Sequence, residues 1–157
     1  MTTTDILKQE GIYFGEDTVG SIRCSIGYVK QFRWSWMATQ LNLMITVGET
    51  NQPITGKLIS DYSLACFDYA TKNHKGWPRG IQSGVGSIAI LRGGDISQEA
   101  VTFCQRLSRK HWSAFEVPVI CDVQKREYFR FQGNPLWGRV YFPFIAKTID
   151  NLIVKLP

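Results

Sequence analysis

Residues 74–123 read HKGWPRGIQSGVGSIAILRGGDISQEAVTFCQRLSRKHWSAFEVPVICDV, and the way the chemistry alternates along this stretch decides the fold. A Gly-rich loop gives way at Val85 to seven residues in which Val85, Ala89 and Leu91 fall on one side of a strand and Ile88 and Ile90 on the other. A strand that is apolar or small on both faces belongs at the centre of a sheet that is covered on both sides. Gly84, Gly86 and Ala89 leave space for a helix to come close. Arg92-Gly93-Gly94 makes a tight exit, and Asp95 and Gln98 stand at capping-box spacing. Ala100, Phe103, Cys104 and Leu107 then recur at helical spacing, with Arg106, Arg109 and Lys110 on the outer face or in the last turn. The segment 117–122 is a second nearly continuous apolar run. Strand, helix and strand in that order predict a βαβ unit with parallel strands and a right-handed crossover.

Upstream, residues 55–73 carry Leu58, Tyr62, Ala65, Cys66 and Tyr69 at a period of 3.6, with Gly76 as C-cap and Pro78 forbidding continuation. Residues 39–47 place Leu41, Leu43, Ile45 and Val47 on one face of a strand. Helical crossovers therefore join three strands, 39–47, 85–91 and 117–122, which makes them parallel. Both connecting helices fall on the same face. Residues 21–28 alternate strictly, with Ile22, Cys24, Ile26 and Tyr28 on one side, and residues 127–132 form another short strand. These two are expected as antiparallel edges. Residues 5–10 make a short helix stopped by Gly11, 12–14 an apolar plug, and 15–20 a turn. Downstream, Phe144, Ile145, Thr148, Ile149, Leu152, Ile153 and Leu156 repeat at helical spacing behind Pro143. The expectation is one α/β (mixed α+β) domain over residues 1–157: a mixed sheet of about five strands, three central parallel strands joined by helical crossovers, antiparallel edge strands and a C-terminal helix packed on the sheet. That helix and the aromatic segments, or a partner subunit, must cover the second face.

Composition narrows the function classes. With 157 residues, 44% apolar and 20% charged, the chain can bury a full core without a metal or disulfides. No apolar run approaches the ~18 residues of a membrane span, and the first residues show no basic-then-apolar leader. Cys24, Cys66, Cys104 and Cys121 sit in apolar patterns without CxxC or His at ligand spacing, as reduced core thiols of a cytoplasmic protein do. The net charge of +5 comes without a polybasic tract. Aromatic residues at 13% exceed what a small core uses, which points to an interface or cleft.

Three clusters are candidate sites. The carboxyl ends of parallel strands are where open α/β sheets bind ligands, and Glu49, Arg92, Asp95, Asp122 and Lys125 all fall there. Converging carboxylates could hold a cation or form an acid/base pair. Against this, Asp95 already serves as a cap, and Asp122 stands three residues before Lys125 rather than the two a nuclease-like centre uses. The loop from His74 to Gly86 mixes glycines with His74, Lys75 and Arg79. It follows a helix, however, whose C-terminal dipole repels anions, so it reads as a connector. The stretches 30–36 and 126–131 interleave rings with cations, and Arg33, Trp34, Trp36 and Arg130 are the nucleic-acid candidates. Covalent catalysis fits poorly, since only His74 and His111 could act as imidazole bases and the thiols read as buried. The leading expectation is a cytoplasmic, non-catalytic binding or assembly domain that self-associates as a homo-oligomer. No metal and no cofactor are expected, nor a membrane, and nucleic acid ranks behind self-association as a partner. The rivals are a small hydrolase using the strand-end carboxylates and a single-strand nucleic-acid binder.

Overall fold

In the computed structural model, which describes residues 1–76, 83–106, 109, 111–133 and 139–157, a six-stranded sheet organises the chain. The strands are β1 (Tyr13–Val19), β2 (Ile22–Arg33), β3 (Thr39–Glu49), β4 (Ser83–Gly93), β5 (Ala114–Asp122) and β6 (Glu127–Phe129). They lie side by side in chain order, β1-β2-β3-β4-β5-β6. β3, β4 and β5 are parallel, while β1, β2 and β6 add antiparallel pairs. The helices are α1 (Thr3–Gln9), α2 (Gly56–Asn73), α3 (Gln98–Gln105) and α4 (Phe142–Ile153). No helix of the described residues is long and apolar enough to cross a membrane.

β4 is buried along its whole length, from Ser83 to Gly93. Alternation divides the apolar residues of the strands between two cores. One contains Val85, Ala89, Leu91, Ala114 and Ile120 under α2 and α3. The other contains Ile88, Ile90, Val117 and Val119 with Leu41, Leu43 and Ile45, under α4, α1 and Trp36. Both crossover helices thus share one face, as handedness requires. The second face is closed by α4 through Ile145, Ile149 and Leu152, and by α1 through Ile6 and Leu7.

Several local expectations are corrected. Residues 13–19 form an edge strand rather than a plug and a turn. Six of its seven residues are exposed or only half-buried, so periodicity carried no trace of it. Its ladder to β2 is what holds it, with Val19 opposite Ile22 across a turn at Gly20, whose φ is +64°. The edge on that side is therefore β1, and β2 is internal.

Asp95 does not cap α3. Ile96 makes a parallel bridge to Ile54, with Ile54 N–H donating to Asp95 O and Ser97 N–H to Ile54 O. That short ladder keeps residues 95–97 extended, and the cap passes to Ser97, whose Oγ accepts from Ala100 N–H at 3.2 Å.

On α2 the fully buried stripe is Ile59, Tyr62, Ser63, Cys66, Phe67 and Ala70. The helix is rolled so that Leu58, Ala65 and Tyr69 are only partly covered. It ends at His74, which has extended backbone, rather than at Gly76. The space left by Gly86 is taken not by a helix but by Leu43 of the neighbouring strand. A Cβ there would lie 2.7 Å from Leu43 Cδ1.

Candidate functional site

At the carboxyl ends of the parallel strands, Glu49 and Arg92 stand opposite each other in register, and Arg92 Nη1 donates to Glu49 Oε2 at 3.1 Å. The other end of the buried guanidinium donates to the carbonyl of Pro157. Two depressions meet at these residues. One of about 640 Å³ is lined by Thr2, Thr4, Arg23, Glu49 and Arg92. The other, of about 540 Å³, is lined by Arg92, Asp122, Glu127 and Tyr128.

The five candidates of this edge do not form one constellation. Glu49 and Arg92 share the strand parity of Val47 and Ile90, which face α4, whereas Asp122 shares that of Ile120, which faces α2 and α3. Asp122 Oδ1 accepts from the backbone N–H of Gln124 and of Lys125, both at 3.0 Å, and so shapes the turn into β6. Asp95 and Lys125 are exposed. Among the described residues no group of three His, Cys, Asp or Glu is placed to hold a metal ion.

The four nucleic-acid candidates divide in two. Trp36 is 4% exposed and packs edge-on against Tyr141 and Phe144, with ring centroids 5.2 and 5.3 Å away. Arg130 is buried and forks onto Asp150, donating from Nε at 2.8 Å and from Nη2 at 2.7 Å. Those two residues hold the α4 face together. Arg33 and Trp34 are exposed. The Arg33 guanidinium lies 5.0 Å from the centroids of both Trp36 and Phe144, which anchors it beside the open surface.

Trp34 belongs to an aromatic end of the molecule. A single 3-10 turn, Trp34–Trp36, joins β2 to β3, and Met37 and Ala38 follow with φ of +58° each. Two consecutive non-Gly residues in the left-handed region are costly, each by about 1 kcal/mol or more. The turn is held by Thr39 Oγ1 donating to Trp36 O at 2.7 Å and by Ala38 N–H donating to Trp34 O at 3.3 Å. Its outcome is that Trp34 is 81% and Met37 85% exposed. Phe32 touches Trp34 edge-on at 5.3 Å. At the same sheet edge, just before β5, Trp112 is 63% exposed.

Sequence reasoning missed a buried ionic cluster at the start of β5. Glu116 is 5% exposed. Its Oε1 accepts from Arg109 Nη1 at 2.5 Å and from Ser63 Oγ at 2.9 Å, and its Oε2 lies 2.8 Å from His111 Nε2. Arg109 also donates to Ser60 O at 3.1 Å and to Ser60 Oγ. The His111 ring stacks on Phe67 with centroids 3.8 Å apart. Arg109 was expected on the outer surface or in the last turn of α3. The helix ends at Gln105, so the following segment can turn Arg109 inward. The available signal was Glu116 itself, one carboxylate inside the apolar run 114–121, because a buried charge must be paired.

All four cysteines are free and buried. Burial pushes the Cys121 thiol up to about 12 and raises those of Cys24, Cys66 and Cys104 as well. No family model, curated protein or solved structure matches this chain.

Proposed function

We propose that this chain is a non-catalytic binding domain whose working surface is the aromatic end around Trp34, Met37 and Trp112. The observation that carries the reading is the turn at residues 34–38. A costly backbone there presents a large ring and a thioether to solvent, where they add nothing to either core. Strain kept without benefit to packing marks surfaces kept for contact. The chemically capable groups are engaged elsewhere: His111 in the Glu116 cluster, Asp122 in a turn and Glu49 on Arg92. A cytoplasmic setting is supported by four unpaired, buried thiols. Self-association through the same end is the second reading, favoured by the size of the exposed Trp34 and Met37 side chains.

The test is the variant Trp34→Ser/Met37→Ser/Trp112→Ser, followed by urea denaturation. A contact surface gives stability within about 0.5 kcal/mol of the parent, as for substitutions away from packed groups. A loss above about 1 kcal/mol would show that these side chains serve the fold, which sinks the reading. Light scattering on the parent and the variant decides the second reading. A mass that rises with concentration in the parent alone supports self-association, and a strict monomer dismisses it.

A further inference from the structure

The charge around the aromatic end is one-sided. Along β2 the face that starts with Cys24 and Ile26 continues outward through Lys30 and Phe32 to Trp34. Lys30 is exposed beside the end of α2, which contributes exposed Lys72 and Lys75. Lys75 is fixed there by its N–H donating to Tyr28 OH at 3.2 Å, and that hydroxyl donates to Asn42 Oδ1 at 2.6 Å. Arg139 is exposed before α4, whose first turn reaches this edge because Tyr141 OH meets Thr39 Oγ1. Among the described residues, Asp68 is the exposed carboxylate of the last turns of α2, and Glu116 is buried and paired. Glu49, Asp95, Glu99, Asp122 and Glu127 lie at the opposite ends of the strands or in the segments that follow them.

From this arrangement, and resting on the binding reading above, we propose that the aromatic end binds single-stranded nucleic acid, stacking bases on Trp34 and Trp112 and setting phosphates against Lys30, Lys72 and Lys75. A flat ring accepts any base, and surrounding cations track a phosphate backbone without reading sequence. β3 and β5, which follow the two rings, are two strand spacings apart, about 10 Å. A strand of several nucleotides therefore spans both. A second protein copy would bring an equally basic end to this one, and like charges meeting across an interface are repelled.

The test uses the full chain and fluorescein-labelled (dT)20 at low salt, read by anisotropy and by quenching of Trp fluorescence. Binding is expected to weaken steeply with salt, since counterions are released. Trp34→Ala is expected to weaken it about ten-fold through lost stacking. Lys30→Gln/Lys72→Gln is expected to reduce the log–log salt slope by about 1. No binding at low salt overturns the proposal. So does equal affinity for Trp34→Ala and the parent, or equal affinity for a duplex of the same length, because either assigns the interaction to charge alone. Stability keeps the two readings apart. If the triple Ser variant is as stable as the parent but (dT)20 does not bind, the nucleic acid is rejected and the contact surface stands.

Discussion

Glu116 is the residue on which one side of the molecule turns. Its carboxylate gathers Arg109, His111 and Ser63, and through Arg109 it ties the segment after α3 to Ser60 and hence to α2. Removing one partner of a buried ion pair strands the others, at a cost of about 3–5 kcal/mol. We expect Glu116→Ala to lose about 3 kcal/mol in urea denaturation, near the lower end because Arg109 and His111 keep some solvent contact. Glu116→Gln should lose less, since one oxygen still accepts. Equal stability of the Gln variant and the parent would show that the charge itself is idle. At this scale the sequence was a partial guide. Trp34 and Arg33 could be picked out because rings and cations alternate there, but the same pattern named Trp36 and Arg130, which are buried. Interleaved rings and cations do not record which side of a turn each will occupy. The left-handed backbone at Met37 and Ala38 decides that, and neither residue type announces it.

Among the elements, α4 depends on the tie between Arg130 and Asp150. The guanidinium fork beside Asp150 holds its carboxyl below the usual 3.8. A carboxyl lowered by folding contributes stability that is fully present above its unfolded value and is lost as pH falls through its folded value. In acid titrations followed by denaturant unfolding, the difference between the parent and Asp150→Asn should therefore be constant above about pH 5. It should shrink as pH falls through about 4 and below. A difference that stays constant down to pH 2 would mean that the ion pair does not stabilise the fold. The larger elements were legible beforehand for a plain reason. β3, β4, β5, α2 and α4 bury whole faces, and burial imposes a period on the chain. β1 is held by its backbone ladder and shows mostly solvent-exposed side chains, so it left no such period. The start of α3 was misplaced by two residues because the Ile54–Ile96 bridge, a contact distant in sequence, keeps the preceding residues extended.

For the molecule as a whole, the two cores share one sheet, and all four thiols lie within them. Protonated, shielded thiols react slowly. The native protein should give almost no reaction with an aromatic disulfide reagent at pH 8, and all four groups should react at once in denaturant. A thiol that reacts quickly in the native state would place one cysteine at the surface. The strand order has a further consequence, because each strand pairs only with its neighbours in the chain. No ladder needs the two ends of the polypeptide to meet, and the longest closure is the crossover through α2 between β3 and β4. Because closure entropy grows with the length enclosed, every pairing can be made without waiting for a more distant one. The sheet can nucleate at the β2–β3 hairpin and grow outward strand by strand. The turn that presents Trp34 is then also the place where the chain first doubles back on itself.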